Sequence, residues 1–191
     1  MIIYLHGFNS SPQSTKAQQL RQFLENLRKG SEFACPQLPD RPNAAVATIE
    51  TEMARHPPGS ITLVGSSLGG YYATAIAEKY GVRAVLLNPA VDPHVGLRKY
   101  LGTQQSYPGA PQYELTEEHL REWENLYVDQ VHPQHYLLLV ETWDEVLDYR
   151  AAVRRYRGAR QIVVQGGDHA MASFTEHLPL ILDFAGIGQV R

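Results

Sequence analysis

Six short apolar runs punctuate this chain, and longer segments with helical periodicity separate them. The runs cover residues 2–5, 33–35, 61–64, 83–87, 135–140 and 161–164. They are apolar along their length rather than alternating, the pattern of parallel strands covered on both faces. The segments between them set apolar groups on one face of a helix. Ala17, Leu20, Leu24 and Leu27 do so within 16–27, and Val146, Tyr149, Val153 and Tyr156 within 145–156. Further helices are predicted over 43–54, over 68–80 with Gly81 as its stop, and over 179–184 with Pro179 in its first turn. Strands alternating with helices predict a doubly wound α/β architecture, with about six mostly parallel strands and helices on both faces. A length of 191 residues with 43% apolar content suits one domain over 1–191. Residues 91–133 break the rhythm. They are rich in Pro, Gly, Gln and Tyr, with one helix predicted over 116–126, and they read as a small cap insertion.

In such sheets the chemistry sits beyond the carboxyl ends of the strands, so reactive groups should follow the apolar runs directly. Gly65-Ser66-Ser67-Leu68-Gly69 does. It fits G-x-S-x-G between a strand and a helix, the setting of a nucleophile elbow in the α/β-hydrolase fold. The sharp turn would lift the Ser67 hydroxyl out of the sheet at a helix N-terminus, where a developing anion is favoured. A serine nucleophile needs a base and a group that orients the base. His169, in the loop Gln165-Gly166-Gly167-Asp168-His169 after the last strand, is the candidate base. The acid should lie between serine and histidine in the chain. Asp144 is favoured because it falls between a strand and a helix; Asp148 is its main rival, and Glu141 and Glu145 are weaker candidates. The expected oxyanion donors are the backbone N–H groups of Leu68, after the nucleophile, and of Phe8, in the loop 6–12 after the first strand.

Other residues read as structural. His6 would brace the first loop, and Tyr71 and Tyr72 would pack in the core. His56, His94, His119 and His177 read as surface groups. His132 and His135 are three apart, but Pro133 interrupts any helix between them and no carboxylate or cysteine completes a set, so no metal site is expected. The single cysteine, Cys35, precludes an intrachain disulfide and reads as a buried structural thiol. The arginines at 150, 154, 155, 157 and 160 read as a solvated helix face.

The blocks His6-Gly7-Phe8-Asn9-Ser10-Ser11-Pro12, Gly65 to Thr74, Asn88-Pro89-Ala90-Val91 and Asp144 to Arg150 resemble the YqiA-like esterases, small bacterial α/β-hydrolases. The likeness runs from the first residues to about Phe184. It implies a minimal three-layer α/β-hydrolase fold, a cytoplasmic enzyme without cofactor, activity on acyl esters or acyl-CoA thioesters, and a triad falling on Ser67, Asp144 and His169. Two positions depart from the family. Trp143 stands where Gly is frequent before the acid, and Asp168 where Asn is frequent before the histidine. Trp143 is expected to narrow or line an acyl pocket, and Asp168 to add negative charge beside the base.

A net charge of -3 gives no support for a nucleic-acid or anionic-membrane partner, and no signal peptide or membrane span is visible. The partner expected is a small acyl ester or thioester. The function expected is acyl transfer to water through an acyl-enzyme, with a thioesterase or a non-catalytic binding protein of the same fold as alternatives. Tyr100, Leu101, Tyr107, Tyr113, Leu115 and Trp123 of the cap are expected to supply an apolar pocket.

Overall fold

A computed structural model of the chain describes residues 1–57 and 59–188; of the domain read over 1–191, residues 58 and 189–191 lie outside the described residues. The elements follow the sequence pattern. They are β1 (Ile2–Leu5), α1 (Thr15–Asn26), β2 (Phe33–Ala34), α2 (Pro42–Met53), β3 (Thr62–Ser66), α3 (Leu68–Tyr80) and β4 (Arg83–Leu87), then α4 (Pro93–Gly96), β5 (Gly102–Gln105), β6 (Gln112–Leu115) and α5 (Glu117–Asn125), and finally β7 (Tyr136–Glu141), α6 (Tyr149–Arg155), β8 (Arg160–Val164) and α7 (Leu178–Phe184). Six strands form one sheet in the order β2-β1-β3-β4-β7-β8, every pair parallel.

Strand alternation divides the core into two layers. Ile3, Leu5, Leu63, Leu86 and Leu138 face one side and pack with α2, α3, α5 and α6. Ile2, Tyr4, Val64, Val85, Leu137 and Leu139 face the other and pack with α1 and α7. Both faces are therefore covered, which is why the strand sequences carry almost no polar groups. Each fully buried Leu or Ile contributes roughly 1.5–3 kcal/mol, and the central strands β1, β3, β4 and β7 hold nine of them.

Boundaries shift where local chemistry competes with periodicity. The helix expected over 145–156 begins only at Tyr149. The Asp144 carboxylate accepts the N–H groups of Val146 and Leu147, holding a turn, and Asp148 caps the helix by accepting the Arg150 N–H. Within 91–133 the antiparallel hairpin β5–β6 forms, which the sequence pattern does not announce. Of its cross-strand residues only Leu115 is buried, so the strands carry little hydrophobic signal.

Candidate active site

The β3–α3 turn places Ser67 at φ 54°, ψ −119°, a region that L-residues seldom occupy. The glycines around it make the turn possible. A Cβ at Gly65 would lie 2.3 Å from the Gly69 carbonyl oxygen, and one at Gly69 would lie 2.0 Å from the Leu5 carbonyl oxygen. Helix α3 can thus press against β1 and β3, with the Ser67 hydroxyl at its N-terminus.

His169 reaches this hydroxyl from the loop after β8. Its Nε2 lies 3.1 Å from Ser67 Oγ, and its Nδ1 lies 2.8 and 3.0 Å from the two carboxylate oxygens of Asp144. The Asp144 side chain is 2% exposed and that of His169 23%. Of the four acids weighed, Asp144 is the one against the imidazole ring. Asp148 faces solvent beside Arg150 and Arg154. Glu145 accepts the His169 backbone N–H at 3.0 Å, and that bond is the main cause holding its carboxyl below the ordinary range.

Glu141 has a role that sequence reasoning missed. It ends β7, is fully buried, and accepts the N–H groups of Asp168, Ala172 and Ser173 together with the Ser173 hydroxyl. Burial alone would raise its pKa; these donors outweigh burial and hold it below the ordinary carboxylate range. Asn88, just past β4, works from the other side. Its Nδ2 donates to the carbonyls of Asp168 and His169, and its Oδ1 accepts the Glu141 N–H. The loop that carries His169 is thus fastened to the ends of two strands. Position after a strand was the one available signal for both residues.

The loop after β1 lies over Ser67. A Cβ at Gly7 would sit 3.3 Å from Ser67 Cβ and 3.8 Å from its Oγ. Among the described residues, the N–H groups of Phe8 and Leu68 have no hydrogen-bond partner within the chain, so both are free to donate. His6 braces this loop. Its Nε2 accepts the Leu38 N–H at 3.0 Å, which assigns the ring proton to Nδ1, 3.1 Å from the Gly7 carbonyl. Burial lowers its pKa and favours this neutral form.

Two cavities meet at Ser67 and His169. One, of about 370 Å³, is mainly apolar and lined by Val91, Pro93, Leu97, Tyr100, Val146 and Leu147 among others. The other, of about 520 Å³, is more polar, with Tyr4, Ser10, Ser14, Thr15, Lys16 and Gln19 in its wall. Of the cap residues expected in an apolar pocket, only Tyr100 lines the first cavity. Trp123 is 1% exposed and belongs to the core, its Nε1 donating to the Tyr72 hydroxyl while Tyr71 donates to the Trp123 carbonyl. Trp143 is 69% exposed and lines neither cavity, because the turn after β7 points it away from them. Asp168 is exposed, and its backbone rather than its carboxylate is held by Asn88 and Glu141.

Tyr71 and Tyr72 are core residues, as expected. Cys35 is partly buried, and burial pushes its thiol up to about 12. His119 is not a surface group. It is 4% exposed, closes a capping box with Thr116 and packs against Tyr113 and Trp123. His56, His94 and His177 are half-buried. The pair His132 and His135 does meet a carboxylate, that of Glu78 on α3, which the sequence placed 54 residues from His132 and so kept out of view.

The model of an uncharacterised protein family, UPF0227, matches residues 1–186. The chain belongs to the UPF0227 family. This is the YqiA family, as the blocks around Ser67 and Asp144 indicated. A UPF0227 protein of Shewanella sediminis is 23% identical over 108 residues, 56% of this chain and 60% of the relative. The chain thus spans about three-fifths of the length of the curated relative it matches. Among solved structures, mouse alpha/beta hydrolase domain-containing protein 10 superposes with a TM-score of 0.70 at 17% identity, covering 95% of this chain and 87% of that one. Est1E from Butyrivibrio proteoclasticus superposes with a TM-score of 0.67 at 16% identity, covering 97% and 85%. At these identities the likeness establishes the fold. This UPF0227 member has the α/β-hydrolase fold in a minimal, six-stranded form. Among its described residues no helix is long and apolar enough to cross a membrane.

Proposed function

We propose that this UPF0227 chain is a serine hydrolase that cleaves carboxylic esters through an acyl-enzyme. The observation that carries the reading is the continuous contact from Ser67 through His169 to Asp144 at the junction of the two cavities. His169 Nε2 takes the proton of Ser67 as its Oγ attacks the ester carbonyl. Asp144 fixes the proton on Nδ1 and stabilises the imidazolium. The N–H groups of Phe8 and Leu68 hold the oxyanion, a contribution worth ~10²–10³ in rate per donor. The imidazolium then protonates the departing alcohol, and His169 activates the water that releases the acid. The apolar cavity suits the acyl chain and the polar cavity the leaving group, with residues 91–133 acting as a cap. The names of structures that share the fold fit this reading: mouse alpha/beta hydrolase domain-containing protein 10 and the esterase domain of a Rhodothermus marinus protein.

The test is a fluorophosphonate probe read by intact mass. One adduct on the wild type and none on Ser67→Ala is expected, with ester turnover lost at least ~10³-fold in the folded variant. Matched oxyesters and thioesters then separate ester from thioester preference. A well-folded wild type that takes no adduct would overturn the assignment and favour a binding protein.

A further inference from the structure

The cluster at the opposite end of α3 is independent of this chemistry. Glu78 lies eleven positions beyond Ser67, about 16 Å along the axis at ~1.5 Å per residue. Its carboxylate faces the turn that leads into β7. Oε1 accepts the Tyr136 hydroxyl at 2.6 Å and the His132 N–H at 2.8 Å, while Oε2 lies 2.5 Å from His132 Nδ1. The ring of His135 stacks beside that of His132, with centroids 5.7 Å apart. Its Nδ1 is shielded from solvent and has no hydrogen-bond partner among the described residues.

We propose that Glu78, His132 and His135 form a binding site for one divalent transition-metal ion of the zinc class. Each side chain offers one ligand atom, and the three atoms lie within 4.8 Å of one another. Two imidazoles and a carboxylate are the donor set that zinc takes, with a fourth position left for water. Bonds of ~2.0–2.2 Å in a tetrahedral site put ligand pairs roughly 3.3–3.5 Å apart. The Glu78–His132 contact must open and the set as a whole must close slightly. The His132 side chain is 65% exposed and free to adjust, whereas that of Glu78 is 8% exposed and fixed. The Tyr136 hydroxyl and the His132 N–H hold the Glu78 carboxylate in place beside the two imidazoles. A negative charge in the last turn of a helix is also poorly placed against the helix dipole, and a bound cation would relieve this. The ion would clamp the end of α3 to the start of β7, far from the reacting groups, so its role would be structural.

Zinc titrated calorimetrically into chelator-treated, dialysed protein should bind once per chain, with micromolar affinity or better, and raise the melting temperature. A tenfold excess of magnesium, which prefers oxygen ligands, should not compete. His132→Ala, His135→Ala and Glu78→Gln should each weaken zinc binding tenfold or more, and His132→Ala should leave basal turnover unchanged. The proposal is overturned if the wild type takes up no zinc. It is equally overturned if His132→Ala keeps the wild-type affinity, or if His132→Ala alone weakens binding, the mark of a lone surface imidazole. Far-UV circular dichroism checks each variant's fold, and His135→Ala decides if Glu78→Gln fails to fold.

Discussion

Glu141 shows how one carboxylate can serve a site without touching the reacting atoms. Its four donors come from the loop that carries His169, and Gly167 passes so close that a Cβ there would lie 1.8 Å from Glu141 Oε2. Replacing Glu141 by Gln turns an acceptor into a donor that faces N–H groups. Hydrogen bonds to a charged group contribute ~1.5–3 kcal/mol each, so Glu141→Gln should lose stability of about that size and lower turnover more than it raises KM. Chemical denaturation and ester kinetics check this. The pH dependence has a definite sign. The folded carboxyl titrates below its ordinary value of 4.5, so its contribution is complete above that pH and is lost as pH falls through the folded value. Wild-type stability should therefore carry an acid-labile component below pH 4.5 that Glu141→Gln lacks; equal acid sensitivity in the two proteins would contradict this. The sequence showed Glu141 as a carboxylate after a strand but left open what it faced. Its partners lie 27 to 32 residues away, across the β7–β8 connection. Ser67 and His169 were legible because a local pattern and a chain position marked each of them.

At the scale of elements, legibility followed burial. The strands β1, β3, β4 and β7 and the helices α1, α2 and α3 appear within a residue or two of their sequence signals, because each buries a continuous apolar face. Gly81, at φ 66°, ends α3 where the sequence places its stop. The hairpin β5–β6 and the late start of α6 were not legible. Their geometry comes from cross-strand pairing with largely exposed side chains and from the side-chain caps of Asp144 and Asp148. The short helix α4 tests the acyl cavity directly. Gly96 lines the cavity, and a Cβ there meets nothing within 4 Å. The Cβ of Gly96→Phe would meet no neighbour, and its ring is expected to occupy part of the cavity. Acetyl esters should then be cleaved at close to the wild-type rate, while kcat/KM for octanoyl esters should fall tenfold or more. An unchanged chain-length profile would move the acyl chain to the polar cavity.

Across the whole molecule, Asn9 of the first loop ties the hairpin of the proposed cap to the segment beside Ser67. Asn9 sits at φ 49°, one position beyond the proposed oxyanion donor Phe8. Its Nδ2 donates to Gln104 of β5 at 3.0 Å, and its Oδ1 accepts the Tyr113 hydroxyl of β6 at 2.8 Å. A second tie runs through α5, where Arg41 pairs with Glu118 and with the buried Glu122, which also accepts the Asn43 N–H. That tie fastens the cap to α2 and does not involve the loop. The two attachments can therefore be separated by mutation. Asn9→Gly keeps the left-handed backbone available, removes both side-chain bonds to the hairpin and leaves the Arg41–Glu122 tie in place. The added unfolded-state freedom costs about 1 kcal/mol or less. The loss of loop restraint bears on Phe8, whose N–H, as the proposed oxyanion donor, would have to point at the oxygen as the carbonyl becomes tetrahedral. Turnover should fall about tenfold, a part of the full ~10²–10³ contribution of one donor, with little change in KM. Tyr113→Phe removes one of the two bonds and should give a smaller loss in the same direction. Steady-state kinetics on a short ester, with melting curves alongside, check both variants. If Asn9→Gly turns over at the wild-type rate, the hairpin closes the acyl cavity without positioning the oxyanion loop.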